Sequence, residues 1–186
     1  MKKLAVLAAL CAAFPVYADG DKIRARLTGY EEVPPVSTQA SGEFEARISH
    51  DEGQIEYELS YSGLQGTVSQ AHIHFAQRAV NGSIVLWLCQ TAGTPAPAAV
   101  AALTPQCPQS GKVAGVLTAA NVVAAGTASQ SIVAGELAEV IDAIHRGRAY
   151  ANVHSLPLTP GGEIRGQIRG SRGGDHDRDR DRGHQH

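Results

Sequence analysis

Through segment after segment of this chain, apolar and polar residues alternate one for one, and short clusters of Gly, Pro, Asn, Asp and Ser separate the segments. A period of two sends successive side chains to opposite faces of an extended strand, and close turns favour antiparallel pairing of neighbours. The pattern predicts strands over Ile23–Leu27, Gly42–Ile48, Gln54–Tyr61, Ser69–Phe75, Ile84–Cys89, Lys112–Leu117, Ala149–His154 and Glu163–Arg169. The expected fold class is mainly β: an antiparallel β-sandwich or flattened barrel.

One helix interrupts the strands, before the penultimate one. Between Gly135 and Gly147 the residues Leu137, Val140, Ile141 and Ile144 form an apolar stripe at helical spacing. Glu136 and Glu139 sit near the positive N-terminal end, Arg146 near the negative C-terminal end, and Gly147 is placed to cap it. His145 is explained by that same end effect and is not a ligand candidate. His50, in the turn Ser49–Gly53, reads as a solvated turn residue. Asn81-Gly82 is a second turn signal, and with Ser83 it also matches a glycosylation pattern, which is given little weight.

The two ends differ from the body. Met1-Lys2-Lys3 precedes an apolar run from Leu4 to Phe14, too short to span a bilayer, and Val16-Tyr17-Ala18 offers a cleavage site, so residues 1–18 read as a signal peptide. Bulky Leu10 before Cys11 argues against lipidation there. Residues 171–186 hold no apolar side chain and alternate Asp with Arg, which predicts a disordered, nearly neutral tail whose histidines could gather loosely held metal ions. The body, 19–170, is one domain's worth of chain. A net charge of -2 and 5% aromatic residues give no basic surface for nucleic acid, and no second apolar run offers a membrane span. Secreted or periplasmic localisation is the expectation.

Loss of Cys11 with the signal leaves Cys89 and Cys107, an even pair whose default in an oxidising compartment is a disulfide. They lack the Cys-X-X-Cys spacing of a redox-active pair. The stretch they enclose is rich in Ala, Pro and Thr and shows neither helical nor strand period.

The residues that point to chemistry are histidines. In Gln70-Ala71-His72-Ile73-His74-Phe75 the two imidazoles share one strand face while Ala71, Ile73 and Phe75 share the other. Tyr150-Ala151-Asn152-Val153-His154 repeats the arrangement, with Tyr150, Asn152 and His154 on the polar face. If the two strands are neighbours, His72, His74 and His154 form a three-imidazole site for copper or zinc. The competing reading is three histidines on the polar faces of half-buried strands, serving only hydrogen bonds.

These segments together resemble the CHRD domain, the repeat first described in chordin and also seen as a single exported domain in microbes. The likeness runs from about Ile23 to Arg169. It is carried by Leu27-Thr28-Gly29-Tyr30-Glu31-Glu32-Val33-Pro34-Pro35-Val36, by Ala71-His72-Ile73-His74, by Gly147-Arg148-Ala149-Tyr150-Ala151-Asn152-Val153-His154 and by Pro160-Gly161-Gly162-Glu163-Ile164-Arg165-Gly166-Gln167-Ile168. The resemblance implies an immunoglobulin-sized β domain, and it places His72, His74 and His154 at characteristic positions alongside Asn152 and Glu163. It implies function only loosely: chordin is a secreted binder of growth factors, and the microbial members bring no established activity.

Three function classes follow. The first is an exported module binding an extracellular or periplasmic protein or polymer; the second adds a copper or zinc site at the three histidines. The third is a copper-dependent redox enzyme resembling superoxide dismutase, although the sequence lacks a complete ligand set for that enzyme's bridged two-metal site. Hydrolase motifs are missing: there is no Gly-X-Ser-X-Gly elbow and no His-Glu-X-X-His helix. The reading adopted is a CHRD-like binding module with a candidate metal site, rather than an enzyme.

Overall fold

The computed structural model describes residues 20–157 and 159–170. The expected signal peptide and tail lie outside the described residues. Every predicted strand forms: β1 (Gly20–Thr28), β2 (Ser41–Ser49), β3 (Ile55–Ser62), β4 (Thr67–Phe75), β5 (Ser83–Cys89), β6 (Gly111–Leu117), β7 (Ala149–Leu156) and β8 (Thr159–Gln167). The last prediction needs one correction. It carried a single strand through Arg169, whereas the backbone breaks at Ile168, whose N–H turns to the Ala149 carbonyl. Arg169–Gly170, β9, then pairs with β1.

All pairings are antiparallel, in the order β5-β4-β7-β8-β1-β2-β3-β6. The sheet curls into a nearly closed barrel. At its seam the chain beyond β6 doubles back along β5: Leu86 bridges Val122, and Val123 N–H bonds the Val85 carbonyl at 3.0 Å. Tyr57 crosses from β3 to donate its hydroxyl to the Leu88 carbonyl at 2.6 Å.

Alternation explains the interior. Ile23, Ala25 and Leu27 of β1, Phe44 and Ile48 of β2, Leu59 of β3, Ile73 of β4, Val153 of β7 and Ile164 of β8 join one core cluster. The predicted helix forms as α2 (Leu137–His145), and Leu137, Val140, Ile141 and Ile144 enter that same core. Its apolar stripe has nowhere else to be buried. Gly147, at φ 66°, follows the last turn as a C-terminal cap, a conformation that glycine adopts at no steric cost. His145 closes the last turn of α2, and its ring lies 3.5 Å from the Asp21 carboxylate.

The disulfide joins Cys89 to Cys107. The enclosed loop is more ordered than its sequence indicates, since it contains a helical turn, α1 (Ala98–Ala101). Buried Gln90 is its hub: its amide donates to the carbonyls of Ala101 and Thr104, both at 2.7 Å, and accepts from Ala96 N–H at 2.9 Å. Ala96 and Val100 then pack on Trp87. The loop thus covers the outer face of β5.

Candidate metal centre

β4 and β7 are neighbours, with His72 opposite Asn152 and His74 opposite Tyr150. Gln70, not a histidine, lies opposite His154, so the third imidazole reaches the pair diagonally. Diagonal neighbours on one sheet face are within reach of aromatic side chains. The three rings converge: one ring nitrogen of each lies within 4.8 Å of the others. They lie on the outer face of the barrel, opposite the core residues Ala71, Ile73, Ala151 and Val153.

That outer face is not a half-buried polar surface. Exposure is 0% for His72, 7% for His74 and 6% for His154. β4 and β7 are therefore covered on both sides, which period-two alternation cannot reveal. Trp87, opposite His72 on β5, stands edge-on to that ring with centroids 4.2 Å apart. The disulfide loop packs against Trp87 and so backs the site.

On the other flank lies a three-layer stack. Tyr150 is parallel to His74 within 4° at 4.7 Å, and the Arg165 guanidinium carbon sits 3.4 Å from the Tyr150 ring centre. A guanidinium over an aromatic face is held by the ring quadrupole. Arg165 also donates to the Val80 carbonyl at 2.9 Å and the Asn81 amide oxygen at 3.2 Å, which ties the β4–β5 connection to β8. That connection ends on Gly82, whose N–H reaches the Tyr150 hydroxyl at 3.3 Å. Its carbonyl faces His74 Nδ1 at 3.0 Å. A side chain on Gly82 would meet the Phe75 carbonyl oxygen at 2.0 Å, so only glycine permits this approach.

A carbonyl can only accept, so His74 Nδ1 carries the proton and Nε2 presents a lone pair. That Nε2 is buried and makes no hydrogen bond, and neither ring nitrogen of His72 makes one. A buried polar atom left unsatisfied costs about 1–3 kcal/mol, so such groups call for an explanation. Both rings are also held neutral. Burial, reinforced by His154 and by His74, pushes His72 well below its usual pKa. Burial lowers His74 to about 4 against the opposing Gly82 hydrogen bond, with His154 and Arg165 contributing. Neutral imidazoles are the ligand form.

The other two polar residues singled out with the histidines are engaged elsewhere. Asn152 donates to Glu32 Oε1 at 2.6 Å and to the Ile164 carbonyl at 3.1 Å. Glu163 accepts from the Thr38 hydroxyl at 2.7 Å, from Gln65 N–H at 2.8 Å and from the Ser155 hydroxyl. It ties the β1–β2 and β3–β4 connections to β8. Glu32 is the unforeseen acid: burial raises its pKa to about 7, against the pull of Arg165 and the Asn152 hydrogen bond. Gly162, at φ 124°, lets the chain pass this pair, since a Cβ there would lie 2.6 Å from Asn152 Nδ2 and 2.7 Å from Glu32 Oε1. The alternation of the strands does not single out Glu32, Trp87 or Arg165 as site residues, although Glu32 and Arg165 lie inside the segments that resemble the CHRD domain.

The CHRD domain model matches residues 23–168, most of the chain, and the protein belongs to that family. No curated protein and no solved structure matches it. The barrel above is thus a CHRD β module carrying a histidine triad able to hold a metal. Its disulfide fits an oxidising compartment. Among the described residues no helix is long and apolar enough to cross a membrane.

Proposed function

We propose that this protein is an exported CHRD module that binds one copper or zinc ion at His72, His74 and His154 and presents its loops to an extracellular or periplasmic protein or polymer. The observation that carries the metal reading is the unsatisfied state of the buried ring nitrogens: both of His72 and Nε2 of His74. An ion supplies the missing partner to His74 Nε2 and to the one His72 nitrogen that carries a lone pair, and so repays the cost of burying those two atoms. Three nitrogens around an ion at about 2.0–2.1 Å stand roughly 3.4 Å apart, so closure from 4.8 Å needs modest side-chain rotation. The residues that position the triad, Trp87, Tyr150 and Gly82, act as its supporting shell.

Metal analysis of the purified mature protein, with the tail histidines His176, His184 and His186 replaced by Asn, tests this reading directly. One equivalent of copper or zinc is expected to survive gel filtration and to disappear in the double variant His72→Ala/His74→Ala, with the β-type circular dichroism retained. Retention of the full equivalent in that variant, or no uptake by the parent protein, defeats the metal reading. N-terminal sequencing of protein recovered from the producing cell tests export, and Asp19 is the expected first residue.

A further inference from the structure

We propose that the triad is a three-coordinate copper(I) site that discriminates against zinc(II) by its lack of compensating negative charge. This rests on the reading that His72, His74 and His154 bind a metal, and it adds the oxidation state and coordination number. The cluster consists of three imidazoles, with no carboxylate or thiolate among its members. Three neutral rings leave the whole charge of the ion uncompensated in a buried setting. The cost of burying charge grows with its square, so a divalent ion is penalised about fourfold relative to a monovalent one.

The surroundings deepen that bias. Arg165, 2% exposed, places a permanent cation on the far side of the Tyr150 ring that stacks on His74. It repels a second unit of charge on the ion as it repels the first. Of the two acids that interact with Arg165, Glu31 is paired with Arg78 and Glu32 is spent on Asn152 at 2.6 Å, so neither is directed at the cluster.

Coordination number points the same way. Zinc in proteins takes four ligands, so this triad would have to admit water or an exogenous group to complete the shell. His72 is fully buried and is walled by Trp87, an aromatic surface that offers no lone pair. Monovalent copper, unlike zinc, closes its shell with as few as two or three donors, and imidazole is among the ligands that suit copper. Binding involves no electron transfer: reduced copper enters and reduced copper is held.

The test uses the full mature chain with the tail histidines His176, His184 and His186 replaced by Asn, so that only the folded body competes for metal. Copper(I) is presented anaerobically as its bicinchoninate complex with ascorbate, zinc(II) is titrated against a chromophoric zinc chelator, and X-ray absorption reports the copper shell. The expected result is one copper(I) per chain, bound at least about tenfold tighter than zinc(II), with three nitrogen scatterers, and lost in His72→Ala. Zinc binding as tight as copper(I), or a four-ligand copper(I) shell, overturns this inference while leaving a metal site standing. Failure of both ions to bind overturns the metal reading as well.

Discussion

Replacing Glu32 by Gln probes the least expected group in the site. Gln keeps an oxygen able to accept from Asn152 Nδ2, now 2.6 Å from Glu32 Oε1, but it cannot ionise. In the folded protein burial raises the Glu32 carboxyl from 4.5 to about 7. Between those values the unfolded chain has lost its proton while the folded chain keeps it, so the unfolded state binds fewer protons and stability falls as pH rises. At about 1.4 kcal/mol per unit, the loss amounts to roughly 3 kcal/mol, complete just above pH 7. His74 acts oppositely: lowered from 6.5 to about 4, it withdraws stability as pH falls through that interval. The wild-type profile superimposes these and the similarly lowered His72, but the difference between Glu32→Gln and wild type isolates the acid. Urea unfolding of metal-free protein, followed by the fluorescence of Trp87, the single tryptophan, measures that difference across pH 4.5–7.5. The variant's advantage should grow by about 3 kcal/mol from the acid end to the neutral end. A difference that stays constant with pH would refute the reasoning, because it would mean that Glu32 titrates alike in both states.

Three further outcomes are expected. Alkylation followed by mass measurement should find the Cys89 and Cys107 thiols only after reduction, and Cys89→Ser/Cys107→Ser should cost about 3 kcal/mol in the chain-entropy account of an 18-residue separation. Gly162→Ala should lower stability by about 1–3 kcal/mol from backbone strain alone, with more from crowding of Asn152 and Glu32; an unchanged unfolding midpoint would show that the turn relaxes freely. Removing residues 171–186, which contain no apolar side chain, should leave the thermal midpoint within about 1 °C, since that segment has nothing to bury; a large shift would show that it packs on the body.

What the sequence could disclose followed from its periods. Parity placed His72, His74 and His154 on matching faces, and the apolar stripe from Leu137 to Ile144 placed the helix, because both are local consequences of backbone geometry. Parity says nothing, however, about what lies above a face. The burial of the polar sides of β4 and β7 comes from Trp87 with its disulfide loop and from the Arg165-Tyr150 stack, contacts made across long separations in the chain. Arg165 lay in plain view in Glu163-Ile164-Arg165, but an arginine at an alternating strand position looks like an ordinary solvated residue until its fold-wide partners are known. The same holds for Glu32, whose burial depends on β7 and β8.

The seam where Val122 and Val123 lie along β5 has a consequence for how copies of this protein meet one another. An unpaired strand edge offers a row of amide and carbonyl groups on which a second chain can add, the usual route to edge-to-edge aggregation and fibrils. Here the chain beyond β6 occupies part of the outer edge of β5, at Leu86 and Val85, and the curl of the sheet brings the two terminal strands toward each other. At that stretch β5 is not left as a long flat template. The chain's own backbone thus takes up part of the β5 edge, which disfavours strand addition by another molecule along that stretch.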